Sequence, residues 1–340
     1  MNRSAASLLL CLALATIGSL LVPRPAAAQG LFDLFNLGPN PRDEAKYRTE
    51  YVEGDRDATD EVLLIRINGT ITMGDDDDPT PFEFKRSLMD RLDKDLEAAL
   101  KLDRVKAVLL EVNSPGGEVT ASDIIHHKLS KLKARKKPIV TLIGQLGASG
   151  GYYVACAGDK IFAHPTSVLG SIGVIMQTAN IEKLADMIGF RHIALKSERT
   201  PKKDVLSPFR EMTEEEHRML MSIIDGMHDR FIAIVAAARG KSPQEITKLA
   251  DGSLYTAEQA LANGLIDGIG YREDALAKAA ELAGLKTAKL VRRKAKKGLA
   301  ELLGDLVEMH SGAPAFLAWL EAQMAAHQVP AIKYQFSIGK

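Results

Sequence analysis

Two glycine-rich turns carry the residues best suited to chemistry. The first is Asn113-Ser114-Pro115-Gly116-Gly117, set between an apolar run and a helical pattern. Adjacent glycines there expose backbone N–H groups and allow close approach, which is what stabilising an oxyanion requires. A plain strand-to-helix turn accounts for the same five residues, because Pro-Gly pairs are common turn formers. The second is Gly147-Ala148-Ser149-Gly150-Gly151, where one serine is flanked on both sides by tiny residues. That exposes its hydroxyl at a helix start, where the helix dipole and the Gly150 N–H favour developing negative charge. A phosphate-binding loop is the rival reading. It lacks the Lys-Ser/Thr pair after the glycines, and no glycine triplet has dinucleotide-fold spacing.

A reactive serine needs a base, most often histidine held by a carboxylate. His164 lies just before Pro165-Thr166, while His126, His127, His217 and His228 fall in helical patterns with polar surroundings and read as solvated. Lysine is the alternative, provided burial keeps its amine neutral near pH 7, a cost of about 4 kcal/mol against ordinary ionisation. No metal centre or cofactor is called for. Cys11 and Cys156 are too few for a disulfide framework or a cysteine zinc site. The run Asp75 to Asp78, closed by Pro79 and Pro81, reads as a solvated loop, since four consecutive side chains do not converge on one calcium ion.

The elements that must position these turns alternate along the chain. Val62 to Ile67 is a β-branched strand ending at Asn68-Gly69, and Leu88, Leu92, Leu96 and Leu100 share one face of a helix. Strands at Val105 to Val112, Ile139 to Ile143 and around Ile161 then alternate with helices at Val119 to Leu132 and from Ser149. This predicts an α/β layered domain. Thr213 with Glu216, and Thr256 with Gln259, have capping-box spacing, the latter before a helix ended by Gly264. With 44 basic against 44 acidic residues, nothing argues for nucleic acid, and 46% apolar content excludes a disordered chain.

The ends read differently. Arg3, an apolar run from Ser4 to Val22, and Ala26 and Ala28 in small-x-small spacing form a secretory pattern over residues 1–28, cleaved before Gln29 or retained as an anchor. Residues 29–60 read as a linker, 61–285 as the folded domain, and 286–340 as a basic, helical C-terminal extension. Seven basic residues lie between Lys286 and Lys297 with no acid among them: a solvated face by default, an anionic-membrane contact in the sharper reading. Leu302, Leu303, Leu306 and Val307, then Phe316, Leu317 and Leu320, form two amphipathic patterns.

Taken together, Asn113 to Gly117, Gly147 to Tyr153, Gly170-Ser-Ile-Gly-Val174, Lys203-Asp204, Ser207-Pro208, Ala250-Asp-Gly252 and Gly264-Leu-Ile-Asp267 resemble, in this order, the signal peptide peptidase (protease IV type) serine proteases in their short, single-domain form. The resemblance covers about residues 60–285. It implies a Clp/crotonase-like fold and a Ser-Lys dyad, with Ser149 as nucleophile, Lys203 as base, Gly117 and Gly150 as oxyanion donors and Ser171 orienting the lysine. The loop from Lys196 to Lys203 is about two residues longer than the family pattern, so Lys202 competes as base, and Asp204 directly after Lys203 favours the latter. The same resemblance implies an exported, periplasmic or extracytoplasmic enzyme that uses no cofactor and degrades hydrophobic peptides. It further implies a ring-like homo-oligomer in which Lys203 of one subunit serves Ser149 of its neighbour. An acyl-CoA enzyme on the same fold and a catalytically silent binding protein are the alternatives; export disfavours the first, because coenzyme A is cytoplasmic.

Overall fold

The computed structural model describes residues 47–74, 87–295 and 333–335. Contacts divide the chain into Met1–Arg48 and Thr49–Lys340, and the architecture below is that of the second unit. The export pattern, the Asp75 to Asp78 loop and the amphipathic patterns at 302–320 lie outside the described residues.

In chain order the elements are β1 (Tyr47–Gly54), β2 (Glu61–Asn68), α1 (Leu88–Lys101), β3 (Val105–Ser114), β4 (Gly116–Glu118), α2 (Val119–Ala134), β5 (Ile139–Ala148), α3 (Gly150–Ala155), β6 (Lys160–Ala163) and β7 (Val168–Gly170). They continue with α4 (Glu182–Met187), a 3-10 turn (Pro201–Asp204), α5 (Glu214–Arg239), α6 (Pro243–Thr247), β8 (Leu254–Thr256), α7 (Ala257–Ala262), β9 (Gly268–Ile269), α8 (Arg272–Leu282), β10 (Lys289–Ala295) and β11 (Lys333–Gln335). The main sheet runs β1-β10-β2-β3-β5-β6-β9, with β7 paired to β5 and β8 to β7. Its central pairs are parallel, so both faces must be covered, and successive strand residues go to opposite layers. On β2, Leu63, Ile65 and Ile67 face α1, α2 and α3, whereas Val62 and Leu64 meet Ala275, Leu276 and Ala279 of α8. The α/β layering expected from the alternation is the one observed. No helix among the described residues is long and apolar enough to cross a membrane.

Two boundaries differ from the sequence reading. The segment 29–60 contains strand β1, and the basic extension begins with β10, a strand seated beside β2 in the main sheet. Among the described side chains of β10 only Leu290 and Val291 are buried, which hides the strand inside a charge run. Two of those charges are committed within the fold: Arg292 Nε bonds Glu50 Oε2 at 2.8 Å and Arg293 Nη1 bonds the Lys94 carbonyl at 2.9 Å.

β5 bends where it meets the second glycine turn. Val112 pairs with Ile143 but Ser114 pairs with Gly147, so β5 carries two extra residues in the same span. Such bulges re-aim a strand end. The displaced groups are satisfied locally, since Leu146 N–H donates to Asn113 Oδ1 at 3.0 Å and the buried Ser167 hydroxyl serves the carbonyls of Ile143 and Gly144. Beyond the bulge, β5 leaves β6 for β7. Helix α3 follows, every residue of it buried, with Tyr152 Oη donating to the Leu265 carbonyl at 2.6 Å. Tyr152→Phe leaves that carbonyl without a partner in the interior, so the urea midpoint should fall by the equivalent of about 1–3 kcal/mol with an unchanged slope.

Candidate active site

Ser149 occupies the junction between β5 and α3 at φ 53° and ψ −122°, a region normally left to glycine. Among the described residues three non-glycines have left-handed φ, and two of them are Ser149 and Ser171. The strain therefore concentrates at this site. Ser149 N–H donates to the Gly170 carbonyl at 2.8 Å, its own carbonyl accepts from Tyr153 N–H at 2.9 Å, and Ser171 N–H donates to the Ser253 carbonyl at 2.7 Å. The Ser149 hydroxyl does not cap α3, which leaves it available for chemistry although the residue is only 2% exposed. The amides of the first helical turn have no intrahelical acceptor, and the Gly150 N–H is one of them.

The first glycine turn packs directly against the second. A Cβ on Gly150 would stand 2.4 Å from Ser122 Oγ and 3.2 Å from the Gly117 nitrogen, and one on Gly151 would stand 2.6 Å from the Ser114 carbonyl oxygen. Glycine is required at both positions for this approach. Ser114 Oγ donates to the Gly69 carbonyl at 2.6 Å and accepts from Gly116 N–H at 3.1 Å, fixing the turn. On one edge of β4, Ile71 N–H takes the Gly116 carbonyl at 2.9 Å and Ile71 carbonyl accepts from Glu118 N–H at 2.8 Å. Backbone groups alternate along a strand, so the Gly117 N–H points to the opposite edge. The turn and oxyanion readings of this pentapeptide are thus compatible: it is a turn, and it leaves the Gly117 amide beside Gly150.

Ser149, Gly150, Gly117 and Ser171 are therefore brought to one place. Lys203 is not. It lies exposed on the 3-10 turn, and no hydrogen bond joins it to Ser149. Its loop is held by charges that no sequence pattern announces. Asp204 accepts from Lys196 Nζ at 2.5 Å and from Arg210 Nη2 at 2.9 Å; Arg210 also reaches the buried Glu216 at 2.6 Å. Glu216 closes the capping box with Thr213 that the sequence predicts. The Arg210 hydrogen bonds, reinforced by the Thr213 backbone, hold the Glu216 carboxyl down at about 2. Lys202 pairs with Glu215 at 2.5 Å, whereas no ion pair engages Lys203 among the described residues.

Among the described residues no hydrogen bond joins a histidine to Ser149. His126, read as solvated in the sequence, is largely buried: its ring meets Tyr153 edge-on at 5.5 Å, and desolvation pushes its pKa down to about 4. His228 also departs from that reading, with Nε2 buried and without a hydrogen-bond partner among the described residues. His164 bonds Thr166 and packs on Tyr271. Beside the end of β4 a cavity of about 380 Å³ opens, lined by Val119, Ile223 and Met227 together with Asp123, Tyr153, Ser222 and Arg230. Tyr153 and Arg230 both bond Asp123. The segment from Ile175 to Glu211 carries apolar side chains into solvent, Met187 at 82% and Leu195 at 95% exposure being the extremes.

Residues 131–286 match the sequence profile of peptidase family S49. An Enterococcus faecium protein bearing a signal peptide peptidase name is 42% identical over 172 residues, 51% of this chain and 49% of that one. Protease 4 of Salmonella typhi is 40% identical over 183 residues, 54% of this chain and 29% of that protein. The chain spans between 29% and 64% of the length of four curated relatives that it matches at 40–42% identity. Among solved structures, a ClpP1 point mutant from Listeria monocytogenes is 19% identical, with a TM-score of 0.39, covering 64% of this chain and 94% of that chain.

The loop network predicts an acid titration. A carboxyl depressed from 4.5 to about 2 contributes stability that is complete above its ordinary value and is lost as pH falls through about 2. The carboxyl ¹³C resonance of Glu216, assigned by its loss in Glu216→Gln, should titrate near that lower value. Arg210→Met should move the midpoint up by at least one pH unit and loosen the segment carrying Lys203.

Proposed function

We propose that this protein, whose residues 131–286 match the peptidase family S49 profile, is an exported serine endopeptidase with a Ser149-Lys203 dyad that cleaves hydrophobic peptides, released signal peptides among them. The observation that carries this reading is the strained Ser149, whose hydroxyl leaves α3 uncapped beside the Gly117 and Gly150 amides. Strain of about 1–3 kcal/mol persists where surrounding structure over-determines it, and active sites are where it clusters. In the proposed reaction Ser149 Oγ attacks the scissile carbonyl carbon and its proton passes to the Lys203 amine. The resulting oxyanion accepts from Gly117 and Gly150 N–H. The C–N bond then breaks, the leaving amine takes the proton from Lys203, and water repeats the sequence to release Ser149. The cavity walled by Val119, Ile223 and Met227 suits an apolar substrate side chain.

Lys203 is favoured over Lys202 because Lys202 is committed to Glu215, and a carboxylate partner stabilises the protonated amine. A lysine base must also be desolvated, and the exposed position of Lys203 in one subunit does not provide that. A neighbouring subunit would. The apolar side chains exposed between Ile175 and Leu195 form a surface that a second copy would cover, and a head-to-tail ring would bring Lys203 of one subunit to Ser149 of the next. The secretory pattern at residues 1–28 supports the reading that the enzyme works on the outer side of the cytoplasmic membrane.

Hydrolysis of a hydrophobic fluorogenic peptide tests the dyad. Ser149→Ala should lower kcat by at least a thousandfold with an unchanged circular dichroism spectrum. Lys203→Ala should do the same, while Lys202→Ala keeps most activity; the reverse order would move the base to Lys202. Co-assembled Ser149→Ala and Lys203→Ala subunits should recover activity, because some interfaces then pair an intact serine with an intact lysine. No recovery in demonstrably mixed oligomers would place the dyad within one subunit.

A further inference from the structure

The sequence Ala250-Asp251-Gly252 takes no part in the proposed reaction, yet the fold brings it to the strained serines. Strand β7 pairs antiparallel with β8, Gly170 opposite Leu254, so Ser171 and Ser253 are the next opposed pair. A hydrogen-bonded pair in such a ladder exchanges two bonds. Here one is made, from Ser171 N–H to the Ser253 carbonyl at 2.7 Å. Ser253 N–H turns instead to Asp251 Oδ1 at 3.0 Å, and among the described residues it makes no bond to the Ser171 carbonyl. Asp251 thus stops the ladder halfway through a pair, at the residue where the chain turns left-handed, Ser171 with φ 47°.

The bond that remains leads to the nucleophile. The Gly170 carbonyl and the Ser171 N–H belong to one planar peptide group, and in a trans peptide they point in opposite directions. The carbonyl accepts from Ser149 N–H at 2.8 Å while the N–H donates to Ser253. This one rigid plate is therefore clamped between Ser149 and the loop that precedes β8. The fit is close, since a Cβ on Gly170 would stand 2.9 Å from the Ser253 carbonyl oxygen and 2.7 Å from Tyr255 Cδ2. Tyr255 Oη donates to the Leu249 carbonyl at 3.0 Å, which closes the loop on itself. Gly252, at φ 86°, supplies the turn that lets Asp251 reach the Ser253 N–H.

We infer that Asp251 is a positioning residue of the peptidase site: by fixing Ser253 it clamps the Gly170–Ser171 peptide, and through that peptide it holds the backbone of Ser149 in its strained conformation. This role rests on the serine peptidase reading for the identity of the nucleophile. Backbone strain persists only where the surroundings over-determine it. With Ser253 released, the Gly170–Ser171 peptide is gripped from the Ser149 side alone, and the Ser149 backbone is free to relax with it. A nucleophile displaced in this way loses rate, because the reacting atoms no longer meet in line, while contacts to the rest of the substrate stay in place.

The test compares Asp251→Ala with Asp251→Asn in the full chain, since Asn keeps an Oδ1 acceptor for the Ser253 N–H and Ala does not. Asp251 is exposed, so neither change opens the core. One readout is hydrogen exchange, by mass spectrometry, of the peptides carrying Ser149 and Ser171. The other is hydrolysis of the hydrophobic fluorogenic peptide, divided by the number of sites that a fluorophosphonate titrates at completion. Asp251→Ala should speed exchange in both peptides at least tenfold and lower kcat per titrated site at least tenfold, with KM within twofold. Asp251→Asn should restore both. Exchange and kcat unchanged in Asp251→Ala, a change in one without the other, or equal loss in the two variants would overturn the inference. So would fewer titrated sites at unchanged kcat per site, the mark of a merely structural role. Undiminished hydrolysis by Ser149→Ala would instead remove the serine peptidase reading, and exchange at Ser149 in the Asp251 variants would then decide by itself whether Asp251 holds that backbone.

Discussion

Ser149 holds a backbone conformation that ordinarily belongs to glycine, and the surrounding structure can be understood as the means of holding it there. Its N–H is gripped by the Gly170 carbonyl and its carbonyl by Tyr153 N–H. Both anchors are themselves fixed: Gly170 ends β7, which pairs with the re-aimed end of β5, and Tyr153 lies in the buried helix α3. A side chain forced to φ 53° costs about 1–3 kcal/mol, an amount the buried helix and the two-layered core can sustain. In return the hydroxyl projects from a rigid point instead of folding back to cap its own helix.

The glycines around it serve distance as much as conformation. Gly150 and Gly151 allow α3 to close on the Asn113 to Gly117 turn, which brings two backbone amides together without a side chain between them. The bulge in β5 and the short strand β4 then follow from one requirement. The ends of two parallel strands must leave the sheet toward each other, and the Gly116 and Leu146 N–H groups and the Ile143 and Gly144 carbonyls at that departure find partners in Ser114, Asn113 and Ser167. Those three polar side chains are as necessary to the site as the glycines.

Much of this was legible in the sequence because it is local. The strands β2, β3 and β5 are continuous apolar runs, the capping boxes at Thr213 and Thr256 sit where their spacing puts them, and the glycine turns mark the strand-to-helix junctions. What was not legible depends on partners far along the chain. β10 reads as a charge run because its two buried residues sit among basic ones whose acceptors, Glu50 and the Lys94 carbonyl, are about two hundred residues or more away. His126 reads as a polar helix position until Tyr153 folds over it. The Lys196-Asp204-Arg210-Glu216 network has no periodicity to reveal it, and it is what holds the loop bearing Lys203. The pairing of β4 with a strand more than two hundred positions later is equally invisible to any local pattern.

The central claim is that Ser149 is the nucleophile. Reaction of the intact protein with a fluorophosphonate, followed by digestion and tandem mass spectrometry, tests it most directly. The account predicts a single phosphonyl adduct, on Ser149. An adduct on Ser114, Ser171 or another serine with Ser149 unmodified would contradict it.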